Sequence, residues 1–184
     1  MLMNRKIRWI TETAVLLALL VALQWLTKPM GQLVTGSCVN AVLAIATLFV
    51  EMYSGICLAL LSPILAFLLG IAPQIPVVPA IMLGNSVFVL LLGGIARQGH
   101  RRSQIVACAC SSLGKFLALY ATVKGLICGV FADRLLALGV LKEPMLTALP
   151  ATFSWPQLFT ALIGSVVAMV IVPMLQKALK YRYK

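Results

Sequence analysis

The sequence predicts an all-α membrane protein with six transmembrane helices and both chain ends on the cytoplasmic side. Three observations carry this. Hydrophobic residues make up 62% of the 184 residues and charged ones only 10%, beyond what a soluble domain of this size hides. Mean hydropathy is +1.06, and apolar runs recur at the roughly 20-residue length a helix needs to cross the hydrocarbon core. The fifteen Lys and Arg residues against four acids, a net charge of +11, fall in short clusters between those runs. They do not form a nucleic-acid-binding patch.

The elements follow in order as one integral membrane domain over residues 1–184. Spans are expected at Ile10–Thr27, Ser37–Met52, Gly55–Ile71, Ala80–Ala96, Ser103–Gly125 and Pro156–Gln176. Arg5, Lys6 and Arg8 precede the first. A basic start before an apolar run also suits a signal peptide, but Leu16 to Leu26 continues without an A-x-A cleavage site, so a retained helix is expected. Spans two and three are joined by the tight turn Glu51–Gly55, and Pro63 is expected to kink span three, which a helix bundle tolerates. Arg97, Arg101 and Arg102 separate spans four and five, and Lys177, Lys180, Arg182 and Lys184 follow span six. By the positive-inside rule these clusters and the N-terminal one are cytoplasmic.

The opposite side holds more distinctive loops. KPMGQLVTG, Lys28 to Gly36, is polar and punctuated by Gly and Pro. APQIPVVP, Ala72 to Pro79, carries three prolines and is expected to be stiff and non-helical. From Val130 to Trp155, apolar residues at near-helical spacing leave room for a short helix on the membrane face. No internal repeat supports a transporter built from two inverted halves.

The chemistry starts from what is missing. Glu12, Glu51, Asp133 and Glu143 never share a span, so paired-carboxylate catalysis or a carboxylate metal site has no foundation. His100 stands in the basic loop without a partner. No P-loop, dinucleotide fingerprint or cofactor motif is present, which argues against an enzyme. The five cysteines, Cys38, Cys57, Cys108, Cys110 and Cys128, form no CxxC pair and are expected to pack as small apolar residues.

Lys115 is the conspicuous residue. At 100° per residue, Cys108, Ser111, Ser112, Lys115, Leu119 and Thr122 share one side of span five. A charge in mid-span normally faces a bundle interior or a cavity. Snorkelling to the surface is strained from that depth, and pairing with a helix-end carbonyl is the structural alternative. Because the chain offers no acid at this depth, a carboxylate or phosphate on a small molecule is the natural counterpart. Asn85 and Asn40 need partners inside the bilayer, from a ligand or from another helix. Phe153, Trp155, Gln157 and Thr160 open span six, where an aromatic serves either as an interface anchor or as part of a site. In span one, Ala14, Ala18 and Ala22 recur every fourth residue. Such a stripe admits a close helix neighbour, from this chain or from a partner.

A basic start, an Ala-xxx-Ala-xxx-Ala first helix and six spans in about 180 residues, together with the run from Gly31 to Gly70 and PAIMLGN at Pro79–Asn85, resemble the substrate-binding S component of energy-coupling factor (ECF) transporters. The resemblance covers essentially the whole chain. It implies a compact S-component-like bundle in the prokaryotic plasma membrane, in contact with lipid. It also implies capture of a vitamin-like substrate and docking on a transmembrane coupling (T) subunit that works with two ATPases. It assigns Ala14, Ala18 and Ala22 to docking, and Asn85, Ser112, Lys115, Trp155 and Gln157 to a pocket with Gln32 and Thr35 on its lid. The lysine favours an anionic, vitamin-sized ligand, pantothenate-like acids among them. Having no ATP site and few acids, the chain would borrow its energy from partners. A ligand-free membrane scaffold and a passive facilitator are the alternatives.

Overall fold

The computed structural model describes residues 5–71, 74–96 and 101–182. Arg97, His100, Lys184 and the Ala72–Pro73 start of the proline-rich loop lie outside the described residues, as do the side chains of Arg101, Lys180 and Arg182. No strand occurs among the described residues.

α1 spans Arg5–Thr27. Lys28–Met30 continues it as a single 3-10 turn in which Pro29 needs no backbone N–H. Gly31 then takes φ 87°, a conformation that side chains with a Cβ resist. The chain reverses there, and α2 runs Gln32–Ile45. The helix therefore begins at Gln32 rather than Ser37, because the break is Gly31 alone and Gln32–Gly36 contains no helix terminator. The ladder widens to a π-helical turn over Ala46–Val50. Glu51, fully extended, starts α3 at Met52, which ends at Leu68 and carries Pro63 inside it.

α4 spans Val77–Ala96, with Pro79 tolerated in its first turn. α5 spans Arg101–Tyr120 and continues as a π-helical stretch, Ala121–Val130. Two short helices follow, α6 at Ala132–Ala137 and α7 at Glu143–Thr152. α8 runs Trp155–Arg182.

Five helical segments have the length and apolarity to cross a membrane: Arg5–Met30, Gln32–Val50, Val77–Ala96, Arg102–Val130 and Glu143–Ala178. Met52–Leu68 is apolar but shorter. Its 17 residues give about 25 Å of helix, a little less than the hydrocarbon core. The result is an all-α membrane bundle in which α4 packs chiefly on α5 and α3, and α2 on α8.

The main core joins Leu20, Leu43, Leu58, Phe88, Leu92 and Ala161. A second, smaller core of Val77, Leu119, Val123, Leu149 and Phe153 ties α7 to the start of α4 and the end of α5. α2 and α8 approach closely at Gly164: a Cβ there would stand 2.6 Å from the Ala41 backbone nitrogen and from the Asn40 Cβ. Small residues permit this kind of approach between membrane helices.

One end of the bundle collects the start of α1, the α2–α3 turn and the end of α4. There Arg5 pairs with Glu51 at 2.8 Å. The other end is hollow.

Candidate functional site: a lysine-floored cavity

A cavity of about 340 Å³ lies between the two cores, within the size range of small-molecule pockets. Its floor is Lys115 on α5, Asn85 on α4 and Asn40 on α2. Gln24 from α1 and Pro63 and Ala66 from α3 form one wall. Gln32, Thr35, Gly36 and Val39 from α2 form another. Met145, Ala148, Leu149 and Thr152 of α7, with Phe153, close it, and Ile71, Gln74, Ile81 and Gln157 complete the lining.

Lys115 is 3% exposed. Its Nζ donates to Asn40 Oδ1 at 2.5 Å and to Asn85 Oδ1 at 2.6 Å. It also lies 5.7 Å from the centre of the Phe88 ring, within cation–π range. The two asparagines supply the dipoles that make a buried ammonium tolerable, but neither carries the negative charge that would neutralise it. An ammonium group has three donors and accepts nothing. Both amides are therefore forced to present oxygen to it, and both amide nitrogens are turned elsewhere.

The two nitrogens meet different fates. Asn40 Nδ2 donates to Thr160 Oγ1 at 3.2 Å, and Thr160 donates onward to the Gln157 carbonyl at 3.1 Å. The close approach at Gly164 holds Asn40 against α8 for this chain of bonds. Asn85 Nδ2 is buried with no protein partner, as are Gln24 Oε1 and Gln74 Oε1. All three residues line the cavity. Buried polar atoms are rarely left unpaired without a reason. No acid, and no basic residue besides Lys115, lines the cavity among the described residues.

Of the residues expected at the site, Gln32, Thr35, Asn85, Lys115 and Gln157 come together here. Ser112 and Trp155 stand apart. Ser112 lies one turn from Lys115 on the same face and is fully buried, with Oγ unpartnered, but it does not line the cavity. Trp155 is 63% exposed and stacks on Phe116, ring centres 5.5 Å apart. As the first residue of α8 it points along the outer face, two positions before the inward Gln157. The expected lid also differs from its description as a loop. Thr35 Oγ1 donates to the Thr27 carbonyl at 2.8 Å, so Gln32 and Thr35 sit in an ordered helical turn. Lys28 Nζ caps the Gly70 carbonyl at 2.6 Å.

Sequence reasoning missed Gln24, Gln74 and the α7 residues. Gln24 was findable: Thr13, Leu20 and Gln24 are the buried residues of α1 and share the face opposite the alanine stripe. Ala14, Ala18 and Ala22 are exposed, flanked by Val15, Leu19 and Trp25, which are exposed as well. Packing inside this chain does not use the stripe.

These features define a class first: a polytopic α-helical membrane protein built around a cavity of small-molecule size. The family is more particular. A family model described as ECF transporter, substrate-specific component matches residues 8–176, and the chain belongs to that family. Neither a curated protein nor a solved structure matches it. The chain is thus a membrane-embedded, substrate-specific subunit of an ECF transporter, a family whose members associate with T and ATPase subunits.

Proposed function

We propose that this protein captures an anionic, vitamin-sized micronutrient outside the prokaryotic plasma membrane and hands it inward with energy from a T subunit and two ATPases. One observation carries the anionic assignment. Lys115 is the single charged residue lining the cavity among the described residues, and its partners are neutral amides. A buried cation with dipoles but no counter-ion attracts an anion and repels a cation.

Docking falls to Ala14, Ala18 and Ala22, whose outward stripe suits close contact with another membrane helix. Arg5, Lys6, Arg8 and Arg102 belong to the end of the bundle opposite the cavity, which the positive-inside rule makes cytoplasmic. The cavity then opens outward, and the Lys28–Gly31 turn with the first turn of α2 acts as its cover. Release of the Lys28 cap from Gly70 would accompany opening.

Native mass spectrometry of the purified protein, paired with co-purification of tagged T and ATPase subunits, tests the reading. A stoichiometric small organic acid together with recovery of the subunits supports it. Recovery of neither sinks it.

A further inference from the structure

The cavity's unpaired polar atoms are not scattered. One belongs to the charged floor: Asn85 Nδ2, a donor whose sibling oxygen is 2.6 Å from Lys115 Nζ. The orientation of this amide is fixed, since flipping it would set two donors against each other. The other two are acceptors, Gln24 Oε1 and Gln74 Oε1. Gln24 comes near the C-terminal end of α1, and Gln74 precedes α4. From Val77, where α4 begins, to Asn85 is about 12 Å of helix. The rest of the lining is mainly apolar, with Val39, Pro63, Ala66, Ile81, Leu149 and Phe153, and its polar members Gln32, Thr35, Thr152 and Gln157 are all neutral.

Each feature constrains the ligand. The floor offers a positive charge with two of its three donors spent, beside an amide N–H group with no acceptor. An oxyanion with two oxygens accepts from both at once. The walls disfavour further charge because, among the described residues, they hold no ionic partner for it. The upper end lacks a donor partner for two amide oxygens, so a group carrying O–H or N–H completes it. Glu51 and Glu12, on the α1–α3 end of the bundle, do not line the cavity and offer no internal competitor for the lysine.

Resting on the transport reading above, we infer that the ligand is an amphiphilic monocarboxylate held in one direction. Its acid end meets Lys115 and Asn85 Nδ2, an aliphatic middle lies against Phe153 and Leu149, and a hydroxyl or amide N–H at the far end donates to Gln24 and Gln74. The site discriminates by the two ends together, and a molecule with only one of them binds weakly.

Three probes on the same six-carbon chain separate the ends: ω-hydroxyhexanoate, hexanoate, which lacks the far donor, and ω-hydroxyhexanamide, which lacks the charge. They are titrated calorimetrically into the full-length protein in nanodiscs. The hydroxy acid is expected to bind about tenfold or more tighter than either relative, as befits a buried group left unpaired. In Gln24→Leu with Gln74→Leu the advantage over hexanoate disappears while the advantage over the amide persists. In Asn85→Leu the advantage over the amide shrinks. Hexanoate binding as tightly as the hydroxy acid overturns the donor end, and equal binding of the amide overturns the acid end. No heat from any probe at millimolar concentration overturns the ligand class altogether. Recovery of the T and ATPase subunits with the same preparation reads the transport role separately, so a wrong ligand class and a wrong function give different results.

Discussion

Asn40 and Asn85 make the same bond to Lys115 and are otherwise unlike. Asn40 is locked on its far side, through Thr160, into the close α2–α8 crossing at Gly164. Asn85 has no second partner. One amide belongs to the scaffold and the other faces unfinished chemistry. The difference teaches where the frame stops and the site starts: identical residues at similar burial have separate roles, and only the fate of the second amide atom tells them apart.

Substitutions can break or sharpen this contrast, with ligand affinity as the common scale. Asn85→Asp keeps the shape but sets a carboxylate against Lys115 Nζ. The protein then carries its own anion, and affinity for the co-purified ligand should fall about a hundredfold or more. Lys115→Ala should cost a comparable amount, about 3 kcal/mol, while the variant still elutes as a folded monomer. Unchanged affinity in that folded variant would assign the lysine to helix packing alone.

Gly164→Ala comes next. The added methyl collides with the Asn40–Ala41 backbone, and overpacking of this kind costs about 1–3 kcal/mol. The thermal midpoint should drop, and affinity should fall about tenfold as Asn40 shifts. A loss of affinity at an unchanged midpoint would show that the crossing tunes the site without supporting the fold.

Trp155→Ala removes an exposed ring stacked on Phe116 and should change affinity less than about threefold. Smallest of all on this scale, Ala14→Leu with Ala18→Leu should leave ligand affinity untouched and abolish recovery of the T subunit. Normal recovery would return the stripe to a lipid-facing role.

Much of this was legible from residue order. The apolar runs and basic clusters pointed to membrane helices, because bilayer thickness imposes a length that local sequence must meet. Lys115 announced itself since charge in a span is costly wherever it occurs. The neighbours of that lysine were harder to read. Asn40, Asn85 and Gln24 come from three different helices, and which amide meets which cation depends on helix rotation, a tertiary quantity that no single segment encodes. α7 escaped because its role depends on folding back over the cavity through the contacts of Leu149 and Phe153 with Val77 and Leu119. Trp155 misled for the opposite reason. Two residues from Gln157 is about 200° around a helix, so closeness in sequence put the two on different faces.

The hold that two other helices have on Lys115 also bears on how the protein is made. Both amides that receive the ammonium lie on helices synthesised before α5, with Asn40 in α2 and Asn85 in α4. When the charged segment leaves the ribosome and enters the bilayer, its acceptors are already there, and the charge need not cross lipid alone. α8, emerging after α5, then sets Thr160 behind Asn40. The order of the chain is thus an order of assembly in which the costliest residue arrives after its hosts.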